Sequence, residues 1–364
     1  MRERQWMDKS AYTYGLHGTP TTFTLEERIA TLEGGLQCLL APSGLAALAL
    51  VNLGLLKTGD EVLLPDNAYG PGKDLAAGEL RQFGITHQVY DPMKPADLAD
   101  RVTPRTRLVW LEAAGSVTLE FPDLLAQARL CRELGVLSAL DNTWSAGLAF
   151  NPFNLDGRGL AVDISVQALT KYPSGGGDVL MGSVVTRDAA LHRKLKLCHM
   201  RLGLGVGGND AEAVLRALPT LPLRYAAADR SARRLAEWAA RQAPFAQVLH
   251  PALPASPGHA HWQAVCGAAD AAGQGAAASL FSVVIDEKFS REQVDAFCDA
   301  LRLFRIGYSW GGPFSLVMPY ELQTMRHDWP AHLARGTLVR FAIGLEDTAD
   351  LQGDLQHAMQ QTLA

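Results

Sequence analysis

Along residues 36–186, short apolar runs rich in β-branched residues alternate with longer stretches of helical period. Glu61 to Leu64, Thr86 to Tyr90, Arg107 to Leu111, Val136 to Leu140, Val162 to Val166 and Val179 to Val185 read as strands. Gly44 to Leu56, Gly72 to Phe83 and Asp123 to Leu134 read as helices between them. A strand is apolar on both faces only where helices cover both sides of its sheet, so the pattern predicts a mainly parallel sheet in an α/β domain. Past Pro222 the pattern changes. Leu223 to Gln242 reads as a long amphipathic helix, Pro251 to His259 as a Pro/Gly/His-rich connection, and Gly267 to Ala278 as a mobile Ala/Gly-rich loop. Strands at Leu280 to Ile285 and Thr337 to Ile343 then bracket a helix at Arg291 to Leu301, and Asp347 to Gln361 closes the chain as a helix. The expectation is a large α/β domain over 36–221 and a smaller α+β domain over 222–364.

Composition adds limits rather than detail. At 364 residues the chain exceeds what one core usually organises, which agrees with two domains. A net charge of -5 gives no reason to expect nucleic acid or an anionic membrane as partner. Cys38, Cys131, Cys198, Cys266 and Cys298 are odd in number and lack a C-x-x-C pair, so they read as free thiols of a reducing compartment. No window offers a membrane span or a secretory h-region, and the expected location is the cytoplasm.

The candidate chemistry sits at two strand ends. Lys171 follows the apolar run Ala161 to Leu169, which carries one charge, and Asp141 ends the run Val136 to Leu140. Both fall where ligands of such sheets bind, beyond the strands' carboxyl ends. A lysine stripped of water becomes a usable nucleophile and base. Paired with an aspartate able to keep a pyridine nitrogen protonated, it has the layout that pyridoxal phosphate chemistry requires. Either residue alone has an ordinary reading, a solvated lysine or a capping aspartate; the pair raises the functional one. Ala41-Pro42-Ser43-Gly44-Leu45 leads into an apolar helix whose N-terminal N–H groups suit a phosphate, although Ser43 is also an ordinary N-cap. Thr170 is a plausible second donor. Gly203-x-Gly205-x-x-Gly208 matches a dinucleotide fingerprint as a string, but it follows the helical stretch Leu191 to Arg201 and reads as a loop. His259-x-His261 reads as a surface pair in a turn, and no metal site is expected.

In order along the chain, Y-G-x-x-G-T from Tyr14, L-E-G-G, D-N-A-Y-G-P, D-N-T-W, Q-A-L-T-K-Y, Y-S-W-G-G and R-F-A-I-G-L-E-D resemble the Cys/Met-metabolism pyridoxal-phosphate enzymes, and within them the bacterial cystathionine β-lyases. The resemblance implies the aspartate-aminotransferase fold (PLP fold type I) and pyridoxal 5'-phosphate as cofactor. It implies a homotetramer built from dimers, with 1–35 a short arm contacting a neighbouring subunit. Carried over by position, Lys171 is the Schiff-base lysine, Asp141 the partner of the pyridine nitrogen, and Tyr69 the tyrosine stacked on the ring and a possible proton carrier. Gly44, Leu45 and Thr170 match phosphate-binding positions. Tyr14 matches a tyrosine that reaches into the neighbouring subunit's site. Arg340 matches the arginine that grips the substrate α-carboxylate, with Ser309, Tyr308 and Trp310 around it. An Arg fork suits a carboxylate through two parallel hydrogen bonds.

Trp144, Tyr308 and Trp310 favour the β-lyases over relatives that carry S-L-G-G and D-N-T-F, although a tryptophan is more often a core residue. The expected reaction is therefore β-elimination from cystathionine or a related cysteine S-conjugate, giving homocysteine or another thiol, pyruvate and ammonia. Two alternatives stay open: a γ-lyase, γ-synthase or sulfhydrylase of the same family, or a cofactor-binding regulator or impaired paralogue. The departures that keep the latter open are Leu16, where the family carries an arginine that binds the cofactor phosphate of the adjacent subunit, and a short arm before Tyr14; Ala168 for a serine, a change bacterial β-lyases often share, and the missing proline in Glu112-Ala113-Ala114-Gly115-Ser116 depart as well.

Overall fold

The computed structural model describes residues 9, 12, 14–267, 274–326 and 328–363. Seven strands form the large sheet: β1 (Gln37–Ala41), β2 (Glu61–Pro65), β3 (Thr86–Tyr90), β4 (Thr106–Glu112), β5 (Leu137–Asp141), β6 (Ile164–Ala168) and β7 (Gly182–Thr186). Their order is β1-β7-β6-β5-β4-β2-β3, with β7 antiparallel to both neighbours and the rest parallel. Each predicted strand is present within a few residues of its expected ends, and Thr86–Tyr90 matches at both. The double-sided burial that the pattern implied is met: β2 and β7 are buried along their whole length.

The helices that cover this sheet explain the apolar runs. Helix Gly44–Leu55 is apolar nearly all round, because it lies between the sheet and helix Ala189–Leu202. Ser43 caps it by accepting the Ala46 N–H. On the other face, helix Pro20–Glu33 buries Leu25 and Ile29 against β1, β7 and helix Gly208–Ala217, so this part of 1–35 is core of the same chain. The single helix expected over Gly72 to Phe83 is instead helix Gly70–Leu75 continued by a wide π turn, Ala76–Leu80. Gly70, Gly72 and Gly78 lower the helical preference of this stretch.

The smaller sheet has five strands where the sequence showed two. β8 (Phe245–Leu249), β9 (Leu280–Asp286), β10 (Arg305–Ile306), β11 (Leu316–Tyr320) and β12 (Gly336–Ala342) are ordered β10-β11-β12-β9-β8. Helices Leu221–Ala239, Arg291–Ala300 and Thr348–Thr362 pack with it around Phe281, Phe297 and Phe341. The connection expected to run to His259 ends one residue earlier. His259 and His261 stand on helix His259–Cys266, with His261 Nδ1 3.7 Å from the Asp123 carboxylate. Gly203 ends one helix and Gly208 starts another, so the string they share follows no strand and the loop reading holds for 203–207. Part of the loop expected over Gly267 to Ala278 lies outside the described residues. Cys38, Cys131, Cys266 and Cys298 are buried and Cys198 half-buried, all free. Among the described residues no helix is long and apolar enough to cross a membrane.

Candidate active site

Because β4, β5 and β6 run parallel, their carboxyl ends put Glu112, Asp141 and, three residues past β6, Lys171 along one edge of the sheet. The small domain closes over this edge with the loop after β10. Gly311, at φ +78°, lies so close that an added Cβ would come within 3.0 Å of the Tyr172 nitrogen and 3.2 Å of the Lys171 Cβ. Only glycine fits that approach. Its neighbours are thereby brought to the lysine: Nζ of Lys171 donates to the Ser309 hydroxyl at 3.0 Å and lies 5.3 Å from the centroid of the Trp310 ring. Trp310 packs edge-on against Tyr172, whose hydroxyl shares a hydrogen bond with Ser279.

The electrostatics of the lysine are those of a reactive amine. Removal from water, and then the Arg340 guanidinium, push the Lys171 ammonium down to about 8, against a smaller opposing effect from Asp141. Asp141 is shifted upward by burial, while two hydrogen bonds from Thr143 favour its ionised form. The Thr143 N–H donates to Asp141 Oδ1 at 3.0 Å and the hydroxyl at 2.6 Å, and that hydroxyl itself accepts the Ala168 N–H. Thr143 thus holds one carboxylate oxygen, Oδ1, with both its N–H and its hydroxyl. Sequence reasoning passed over it, although its place two residues after a strand-end aspartate is the signal for such a turn.

Tyr69 joins this group from the loop before helix Gly70–Leu75. It is 44% exposed, its backbone N–H donates to Glu112 Oε2 at 2.9 Å, and its phenol is shifted upward by burial and by the Asp141 and Glu112 charges. Tyr69, Glu112, Asp141, Trp110 and Asn52 line one pocket. Arg340, on β12, is 7% exposed; it donates to the Tyr308 carbonyl at 2.5 Å and stands over the Tyr320 ring. The Tyr308 side chain is largely exposed, edge-on to Tyr320.

The phosphate positions have their own geometry. A Cβ on Gly44 would fall 2.6 Å from the Ala168 Cβ, so glycine lets the N-terminus of helix Gly44–Leu55 come down onto the end of β6. The first N–H groups of that helix, including those of Gly44 and Leu45, have no partner within the helix. Thr170 uses its hydroxyl on Met181, accepting the N–H at 3.0 Å and donating to the carbonyl at 3.3 Å. These groups fit pyridoxal 5'-phosphate: an amine, a carboxylate held from behind, an exposed aromatic face, and a helix end brought close by glycine.

Trp144 is 5% exposed and packs edge-on against Phe121 in the core, so it does not line the site. Tyr14 is 64% exposed, lies against His17, and is not brought to Lys171 within this chain.

Comparison with known proteins gives a consistent placement. The model of the family described as "Cys/Met metabolism PLP-dependent enzyme" matches residues 2–360. The cystathionine beta-lyase of Bordetella avium is 38% identical over 363 residues, 99% of this chain and 87% of that protein. The cystathionine beta-lyase MetC of Escherichia coli strain K12 is 35% identical over 94% of this chain and 84% of its own. Among solved structures, cystathionine gamma synthase from Xanthomonas oryzae pv. oryzae, in complex with aminoacrylate and cysteine, is similar with a TM-score of 0.86 and 30% identity, covering 98% of this chain and 89% of that one.

Proposed function

The chain belongs to the Cys/Met metabolism PLP-dependent enzymes, and from that premise we propose that it is a carbon–sulfur β-lyase whose substrate is cystathionine or a related cysteine S-conjugate. It is a pyridoxal-phosphate-dependent lyase of the aspartate-aminotransferase fold. With one water consumed to hydrolyse the eliminated three-carbon fragment, the products are a thiol, homocysteine in the case of cystathionine, together with pyruvate and ammonia. The observation that carries this reading is the depressed amine of Lys171 set between Asp141, Ser309 and Arg340 in a chain similar to several cystathionine β-lyases over nearly its full length.

When bound, pyridoxal phosphate supplies an electron sink that makes the substrate Cα–H bond acidic. The residues of the chain supply the rest. Arg340 binds the α-carboxylate through its planar fork, which fixes the direction of the Cα–H bond. Lys171, with its amine poised near neutral pH, takes the Cα proton at Nζ, and the Ser309 hydroxyl keeps that nitrogen in place. Loss of the proton from Cα drives out the thiolate at Cβ. Asp141, held by Thr143, is the carboxylate that would pair with the cofactor's ring nitrogen, and Tyr69 the aromatic side chain that would stack on its ring. Gly44, Leu45 and Thr170 are the residues that would hold its phosphate. Tyr308 and Trp310 border the substrate.

The assay is direct. Purified holoenzyme with cystathionine should release pyruvate in step with thiol. Release of 2-oxobutyrate instead would support γ-elimination, the second reading, which the likeness to the γ-synthase keeps in play. No turnover despite bound cofactor would support a regulator. We further place the protein in the cytoplasm as a dimer-built homotetramer with Tyr14 reaching a neighbouring subunit, a reading supported by its outward position. Light scattering tests the assembly. Mixing Tyr14→Phe and Lys171→Ala protomers, which should recover part of the activity in mixed dimers, tests the shared site.

A further inference from the structure

Glu112 lines the same pocket as Asp141, and the reaction above does not use it. It ends β4 as Asp141 ends β5, and the two are direct partners across the parallel ladder. Partner residues of adjacent parallel strands point to the same face, so the two carboxyls stand side by side in the pocket that Tyr69 covers. Their surroundings differ. Asp141 has two hydrogen bonds from Thr143 and the Lys171 amine as a facing positive charge. Glu112 has the Tyr69 N–H and a hydrogen bond from Ser116, with Arg326 as a weaker positive neighbour.

We propose that Glu112 is a positioning residue of this site: in its protonated form it anchors the backbone of Tyr69 and leaves Asp141 as the ionised member of the pair. The proposal rests on the pyridoxal-phosphate reading, because its purpose is to keep one negative charge, not two, opposite a protonated ring nitrogen.

The physical basis is the cost of two carboxylates in one partly dry pocket. Neighbouring carboxyls that cannot both ionise share one proton, which settles on the member less stabilised as an anion; each has two hydrogen-bond donors, but Asp141 also faces the Lys171 amine, whereas Arg326 is the smallest influence on Glu112. Burial, and next the Asp141 charge, push the Glu112 carboxyl up to about 8, against the pull of the Tyr69 N–H, Ser116 and Arg326. The other ionisable groups around it are Lys73 on helix Gly70–Leu75 and Tyr90 on β3, each affected by the Glu112 charge, and the phenol of Tyr69 itself. As pH rises through the Glu112 transition, a second negative charge appears beside Asp141 and the balance in the pocket is lost.

The test uses holoenzyme of wild type, Glu112→Gln and Glu112→Ala. It follows cofactor retention on gel filtration, the visible band of bound cofactor against pH, and kcat/KM for pyruvate release from pH 6 to 10. The amide of Glu112→Gln is neutral at every pH and keeps an acceptor for the Tyr69 N–H. It should retain cofactor far better than Glu112→Ala, and the alkaline decline attributed to Glu112 in wild type should be absent from its profile. Glu112→Ala should lose about tenfold or more in kcat/KM with weakened retention. The proposal is overturned if Glu112→Gln is as impaired as Glu112→Ala, which would mean that the negative charge is needed. It is equally overturned if Glu112→Gln keeps the wild-type alkaline decline, or if both variants behave as wild type. Failure of the pyridoxal-phosphate reading looks different, since wild type itself would then show no visible band and release no pyruvate.

Discussion

Lys171 reaches across the boundary between the two sheets to donate to the Ser309 hydroxyl at 3.0 Å, so its amine is held by a loop of the small domain. The residue expected to carry the chemistry and the residue that fixes its direction thus follow strands of two different sheets. Ser309→Ala should leave cofactor binding intact and lower kcat by about three- to tenfold, the effect of one hydrogen bond. Steady-state kinetics with pyruvate detection would check this, and an unchanged kcat would remove Ser309 from the mechanism.

Lys171→Ala should abolish turnover and the visible absorbance of covalently bound cofactor together. The expected loss in kcat is about a thousandfold or more, since it removes both the covalent anchor and the proton acceptor. Turnover at the wild-type level in this variant would sink the assignment.

The depressed Lys171 amine gives a pH dependence with a definite sign. Burial and Arg340 disfavour the ammonium form, so the reactive free amine is present above about 8 and lost below it. The rate at which cofactor is reincorporated into apoenzyme should rise with pH to a half-maximal value near that point. Replacing Arg340 with Gln removes a repelling positive charge and should move the midpoint upward. It should also raise KM for the amino-acid substrate by about a hundredfold, because one charged hydrogen-bonding partner of the α-carboxylate is gone. Stopped-flow absorbance and initial rates measure the two effects separately.

What the sequence made legible, and what it hid, follows from the physics of each signal. Lys171 and Asp141 stood out because a charge that ends an apolar run marks a strand emerging at a sheet edge. Glu112, after the run Leu108 to Leu111, carries the same mark, but only the strand order shows that it adjoins Asp141. Periodicity cannot supply that order, since β4, β5 and β6 are alike as strings. β11 was hidden for a local reason. Pro319 lies within it and argues against an interior strand, yet it pairs with Val339 on β12. Trp144 matched a motif that groups it with site residues, whereas its burial beside Phe121 makes it packing. A motif records neighbours in sequence, not which side of the turn they face.

Arg326 explains how the segment after β11 is fastened to the large domain. It is almost wholly buried, pairs with Glu120 at 2.6 Å and Asp66 at 3.3 Å, and donates to the Thr118 hydroxyl. Lys73 reinforces the junction by donating to the carbonyls of Asp66 and Met325. Arg326→Leu leaves the Glu120 carboxylate buried without its cation, which should reduce stability by about 3–5 kcal/mol. Urea denaturation monitored by tryptophan fluorescence would measure it, and the double variant Arg326→Leu with Glu120→Gln should recover part of the loss.

Leu16 bears on how tightly the cofactor is held. Its Cδ1 lies 3.1 Å from where a Cβ on Gly205 would be, so the side chain rests on the loop 203–207 instead of offering a cation. By the family resemblance an arginine at this position would reach the phosphate site of the adjacent subunit, so with leucine here the helix N-terminus at Gly44 and Leu45 there would have less help in balancing a phosphate dianion. Leu16→Arg should therefore slow loss of cofactor on dialysis by about tenfold, the worth of one added charge-assisted hydrogen bond, with little change in kcat at saturating cofactor. Retention equal to wild type would mean that another group, such as His17 or Arg28, already supplies the charge. Replacing those two residues in turn, and watching for faster loss, would identify which one.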